Sequence, residues 1–183
     1  MRLDQLQERL GDAVEIEWKA FMLRPQPEER TQEKFVNYTQ SWLRPAEMEP
    51  LASFVPWATE NPAPSHSLPA LVAGKIVESI NPELAGSYHR ALLKAYFTDN
   101  RTISADAVYR SIADETGIDV AAFDDELATN RDVHVNQVID DHNEALAAGI
   151  NAVPTVLMAG SFPVPGAQDV ATYERLVTKI AER

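Results

Sequence analysis

Leu3, Leu6 and Leu10 recur at i, i+3 and i+7 and are followed by Gly11, so the spacing predicts a short amphipathic helix over 2–10. The period then changes. Over 13–20, AVEIEWKA, the apolar Val14, Ile16 and Trp18 alternate with Glu15, Glu17 and Lys19, the pattern of a half-buried strand, which runs into FMLRP and stops at Pro25. Phe35, Tyr38 and Trp42 place a helix over 31–43 that starts at Thr31. Pro45, Pro50, Pro56, Pro62 and Pro64 make 45–64 a connecting region, and Phe54, Val55 and Trp57 make it a packed one.

From Ser65 to Gly149 the period is helical throughout. Ser65 is the expected N-cap of a helix with Leu68, Leu71, Val72 and Ile76 on one face. Pro82 opens the next, with Leu84, Tyr88, Leu92 and Tyr96. Ser104 is expected to cap a helix bearing Val108 and Ile112 and ending at Gly117, and Asp119 one bearing Val120, Phe123 and Leu127. Val135, Val138, His142 and Ala145 form a further stripe, with Gly149 as its C′ residue. The chain ends with a strand over Val156–Met158, a second over Ser161–Val164, and a helix from Asp169 carrying Val170, Tyr173, Leu176, Val177 and Ile180. Pro154 stands at the mouth of the first strand. Proline gives no N–H to a ladder, so it either opens an edge strand in trans or marks a tight bend in cis.

Composition narrows the function classes. The 183 residues are 45% hydrophobic and 24% charged, an ordinary globular balance. A formal charge of −12 argues against nucleic acid, which needs clustered Lys and Arg. No apolar run approaches a membrane span and the first residues lack the apolar core of a secretory signal, so the cytoplasm is the default expectation. There is no cysteine, hence no disulfide, no Cys-based metal site and no thiol nucleophile among these residues. His66, His89, His134 and His142 show no ligand spacing, and no metal is expected. A metal at His134 with Asp141 is the weaker reading of that pair, and His142 reads as a core or boundary residue. Asp124-Asp125-Glu126 and Asp140-Asp141 read as solvated faces. There is no phosphate-cradling glycine loop and no nucleophile elbow.

Six words occur in one order: WKAFMLRP (18–25), PSHSLPAL (64–71), YHRALLKAYFTDNRTIS (88–104), GIDVAAFDDEL (117–127), AGINAVPTVLMAG (148–160) and PVPGAQDVATYERL (163–176). With them the chain resembles the DsbA-like thioredoxin-fold family. It is similar in particular to its FrnE-type branch, near the 2-hydroxychromene-2-carboxylate isomerases and kappa-class glutathione transferases. The resemblance implies an α/β fold: a thioredoxin-like domain from 1–30 and 150–183, with 31–149 as connecting region and helical insertion. It also implies a cis Val153–Pro154 bond and a substrate ledge of Val153, Pro154 and Thr155, whose backbone pairs with an extended peptide or glutathione. Gly166, Ala167, Gln168 and His66 are then candidates for the cleft.

The departure from the family is at the start. The family's first strand and its Cys-x-x-Cys at a helix N-terminus have no counterpart, although the resemblance puts that strand between 14–20 and 155–159. Either Met1 is an internal methionine of a longer reading frame, the simpler account, or this is a cysteine-less relative. An open gap or a strand-swapped homodimer is the expected consequence, leaving Ile16, Trp18, Val156 and Met158 more exposed than their types suggest. Two functions follow from the resemblance. One is thiol–disulfide exchange on protein or small-thiol substrates, with no cofactor and with glutathione as substrate or ligand. The other is a non-redox module binding glutathione or a peptide. This chain alone is expected to have no exchange activity.

Overall fold

The computed structural model describes residues 2–49 and 52–182, and Met1 and Pro50 lie outside them. The chain divides into two compact units, Met1–Phe21 with Asp140–Arg183, and Met22–Ile139. No described helix is long and apolar enough to cross a membrane.

In the first unit, α1 (Arg2–Leu10) packs on α8 (Val170–Ala181). Leu6 on one helix and Val170 and Tyr173 on the other close over Met158 and Val164 of a two-stranded sheet, forming a single apolar cluster. The sheet is an antiparallel hairpin of β1 (Thr155–Met158) and β2 (Phe162–Pro165), in register Thr155↔Pro165 through Met158↔Phe162. Its turn carries Ala159 and Gly160 at φ 48° and 66°, and Ser161 N–H donates to Met158 C=O. That bond holds Ser161 in the turn, so β2 starts at Phe162, one residue beyond the expected position.

The expected strand over 14–20 does not form. The segment is extended, but among the described residues it joins no ladder. Alternation brings half-buried Val14 and Ile16 to one side, yet a strand also needs a neighbour for its N–H and C=O groups. Here side-chain contacts at the two ends take that place. Gln7 Nε2 donates to Val14 C=O at 2.9 Å, and Ala20 N–H donates to the buried carboxylate of Asp141 at 2.9 Å. Lys19 Nζ adds ion pairs to Glu17 (2.8 Å), Asp141 (3.5 Å) and Glu144 (3.6 Å), and its pKa rises, chiefly through the Glu17 hydrogen bond. Trp18 is 44% exposed, whereas Met158, expected to be exposed as well, is buried under α1 and α8.

The second unit is helical. Thr31 caps α2 (Gln32–Thr39), its Oγ1 accepting from Lys34 N–H. A 3-10 turn at Gln40–Trp42 leads into α3 (Leu43–Met48), a short helix inside the expected connecting region. α4 (Leu68–Ile80), α5 (Pro82–Phe97) and α6 (Asp106–Glu115) pack together, with Ile76, Val77, Tyr88 and Ile112 fully buried and Tyr88 Oη donating to Tyr109 C=O at 3.0 Å. Asp119 accepts from Ala121 and Ala122 N–H at the start of α7 (Val120–Ala147). The two stripes expected as separate helices are two helical stretches that meet at a kink at Asn130 (φ −120°, ψ 16°), within Val120–Ala147.

Neither serine cap forms as expected. α4 starts at Leu68 after Ser67, and α6 starts after Ala105. Instead Ser65 N–H donates to Ser104 Oγ at 3.1 Å, so the two serines tie two loops together. The proline-rich segment is fixed the same way. Asn100 is 2% exposed at φ 52°; its Oδ1 accepts from Ala58 N–H (2.8 Å) and its Nδ2 donates to Val55 C=O (3.1 Å). Its own C=O accepts from Thr59 Oγ1 and Asn61 Nδ2. Phe35, Trp42 and Trp57 pack below with Phe54, Tyr96 and Phe97, the rings meeting mainly edge to face.

Candidate functional site

The ledge at the mouth of β1 is built by the hairpin. The Val153–Pro154 peptide bond is cis, and Val153 is 42% exposed. Thr155 Oγ1 donates to Ala152 C=O at 2.8 Å, which pins the bend. Gly166 N–H donates to Pro154 C=O at 2.8 Å, extending the β1–β2 register by one pair.

That last bond fixes which way every backbone group points. In an antiparallel ladder, bonded and non-bonded pairs alternate. Pro154/Gly166 is bonded, so Val156/Val164 and Met158/Phe162 are bonded too. The intervening Thr155 and Leu157 direct their N–H and C=O to the far edge of β1, and Val153 lies just beyond the strand, across the cis bond. The described residues supply no backbone partner for any of the three. On the other side, Pro163 and Pro165 occupy the outward positions of β2 and have no N–H to offer. One edge of the hairpin is thus closed to further pairing by two prolines. The other presents donors and acceptors at every second residue, ending at the cis bend. An exposed edge of this kind has the geometry to take up a further extended strand.

Gly166, Ala167 and Gln168 flank the ledge and are held by their backbone. Gly166 takes φ 75°, a conformation in which any side chain is strained. Gln168 Nε2 donates to Pro165 C=O at 2.8 Å, and Gln168 N–H donates to the buried Tyr173 Oη at 3.2 Å. Arg2 Nη1 donates to Ala167 C=O (2.8 Å) and Gln168 C=O (3.1 Å). Asp169 then caps α8, its carboxyl held below the usual range first by the Thr172 N–H at 2.7 Å. The ledge therefore joins Val153–Thr155 with Gly166–Gln168, and it contains no titratable side chain.

His66 belongs to the other unit, and its Nδ1 lies 2.8 Å from Ser65 Oγ. The described residues contain no cluster of His, Asp and Glu that would hold a metal. His134 is buried against Glu126 Oε1 (2.7 Å) and Gln137 Oε1 (2.9 Å), while Asp141 takes the Ala20 N–H, so each has its own structural role. His142 packs edge-on to Phe21, with centroids 4.8 Å apart. The closed edge of β2 was open to sequence reasoning through the alternate prolines of FPVP, because residues i and i+2 of a strand share an edge.

The sequence matches the family described as DSBA-like thioredoxin domain over residues 1–178. It is 25% identical over 174 residues to the protein YwbO of Bacillus subtilis (strain 168), an uncharacterized protein, covering 92% of this chain and 83% of that one. Among solved structures it superposes on the cytosolic disulfide reductase DsbM from Pseudomonas aeruginosa with a TM-score of 0.71, at 16% identity and with 100% and 91% of the two chains covered. The same protein with GSH gives 0.70, at 15% identity and with 99% and 89% covered. A candidate protein disulfide isomerase from Nitrosomonas europaea gives 0.70, at 17% identity and with 86% and 78% covered. At these identities the structural matches establish the fold.

Proposed function

This chain belongs to the DSBA-like thioredoxin domain family, and on that premise we propose that it serves thiol–disulfide exchange by binding thiol- or disulfide-bearing substrates along the Val153–Leu157 edge. The observation that carries the reading is the unspent N–H and C=O of Thr155 on the open edge of β1, with those of Val153 equally unspent just beyond it. An extended peptide, or the backbone of glutathione, pairs with Val153 in both directions and is stopped by the cis bend at Pro154. Its sulfur is then held at a fixed distance from the ledge.

The 183 residues contain no thiol. In any exchange at this edge the attacking thiolate is therefore supplied from outside them. The thiolate attacks one sulfur of a disulfide, a new S–S bond forms, and the other sulfur leaves as a thiolate, with no net electron demand beyond the two thiols exchanged. What these residues do is align the disulfide. The FrnE-type branch and a cytoplasmic setting are part of the same proposal, supported by the likeness to a protein described as a cytosolic disulfide reductase. A second reading, non-redox capture of glutathione or a peptide, is favoured by the absence of cysteine. A second copy of the chain is the remaining candidate for the open edge.

Amide resonances of Val153, Thr155 and Leu157 test the binding step. Oxidised glutathione and an S-methylated analogue are expected to shift all three and leave those of Val156 and Val164 in place. No saturable shift from either ligand overturns the proposal. An insulin-reduction assay separates the readings: turnover restored by an added thiol and lost in Val153→Pro, which removes the N–H, supports exchange. Binding without any acceleration supports simple capture.

A further inference from the structure

In a chain of formal charge −12, Arg24 and Arg30 form an under-neutralised pair within the Met22–Ile139 unit. The Arg24 guanidinium lies over the ring of Tyr38, 5.8 Å from its centroid, and that of Arg30 lies over Phe35 at 4.9 Å. The two rings stack on each other at 6.1 Å and 24°. Both cations are thus carried on one pair of rings. Burial, and then the charge of Arg24, hold Arg30 below its ordinary pKa. Tyr96 joins the group, its hydroxyl pushed up to about 12 by burial with both arginines opposing the shift.

Among the described residues, the two guanidinium groups are only partly paired. Arg24 Nη1 meets Glu28 Oε2 at 3.4 Å, and that carboxylate is largely exposed. Arg30 Nη2 donates to Pro64 C=O at 3.1 Å. Arg30 Nε is buried, and among the described residues it has no acceptor. A buried donor on a cation without an acceptor is unfavourable, and two guanidinium groups beside one carboxylate leave one positive charge uncompensated.

We propose that Arg24 and Arg30 form a binding site for a small monocarboxylate with an apolar body. The guanidinium forks match the two carboxylate oxygens, and a single negative charge matches the residual positive one. Tyr38 is 50% exposed, and the part of its ring left uncovered by Arg24 and Phe35 is where the apolar body would rest. A dianion such as phosphate would overshoot the charge and leave the ring uncovered. The site shares no residue with the β1 ledge, so the two proposals stand or fall separately.

Benzoate is the probe, titrated into the full chain while the Arg30 Nε–H resonance is followed, with inorganic phosphate and benzyl alcohol as comparisons. Benzoate is expected to shift that resonance saturably, and Arg24→Gln and Arg30→Gln are each expected to weaken binding at least tenfold. Benzyl alcohol is expected to produce no saturation, and phosphate to bind more weakly than benzoate. Melting curves identify any variant that fails to fold. Arg30→Lys, which keeps the charge but lacks the Nε–H, is then expected to bind at intermediate strength. No saturable benzoate shift, or unchanged affinity in folded Arg24→Gln and Arg30→Gln, overturns the site. Tighter binding of phosphate overturns the ligand class.

Discussion

Replacing Asn100 separates two contributions that one residue makes to the second unit. Its amide holds Ala58 N–H and Val55 C=O, and its backbone sits at φ 52°. Alanine removes both side-chain bonds, at about 1 kcal/mol each, more if the groups left behind find no water. It also removes the short polar side chain that makes asparagine more tolerant of the left-handed region than alanine, at about 1 kcal/mol. Asn100→Ala is therefore expected to lower stability by about 3 kcal/mol in total. Asn100→Gly loses the same bonds but tolerates the backbone, and is expected to lower it by about 2 kcal/mol. Urea unfolding followed by tryptophan emission measures both, in a Trp18→Phe background so that only Trp42 and Trp57 of this unit report. Glycine as damaging as alanine refutes the backbone contribution. A loss below about 1 kcal/mol in both variants refutes the claim that this amide anchors the proline-rich segment.

Four further outcomes are expected. Asp141→Ala leaves the Ala20 N–H without its acceptor and is expected to lower stability by about 1–3 kcal/mol, read by thermal unfolding. Gly166→Ala forces a side chain to φ 75° and is expected to cost about 1 kcal/mol in the same measurement. His89 is held below its usual 6.5 by burial and then by Arg90, so the unfolded chain takes up the proton first. Its contribution to stability is complete above pH 6.5 and falls as pH drops below that value; a His89→Gln variant with an unchanged pH profile would show that another group is responsible. Finally, the chain without added thiol is expected to give no insulin reduction above the uncatalysed rate, because the attacking species is a thiolate and these residues contain none.

Much of this protein is decided locally, and the sequence determines that part. Leu3, Leu6 and Leu10 put an apolar stripe on α1 because helical neighbours lie three and four residues apart, and α8 is legible in the same way from Val170 and Tyr173 with Asp169 as cap. Proline at 82 and glycine at 149 mark real helix boundaries because their backbone preferences do not depend on what packs nearby. The ledge is legible too. Pro154 marks the bend, and Pro163 and Pro165 close one edge of the hairpin through the two-residue period of a strand.

What tertiary structure decided is pairing. Alternation over 14–20 predicts a strand, but a strand exists only with a neighbour, and the extended segment is held instead by Gln7 and Asp141. Ser65 and Ser104 look like helix caps in the sequence. The fold brings them together instead, Ser65 N–H donating to Ser104 Oγ, while α4 and α6 start after Ser67 and Ala105. Asn100 and Arg30 carry no local signal at all. The first matters because the 53–61 loop returns to the end of α5, the second because its guanidinium lies over the Phe35 ring with its Nε buried. Periodicity and backbone preference are properties of neighbours in sequence. Hydrogen-bond partners, buried charge and open edges are properties of neighbours in space, and only the folded chain supplies those.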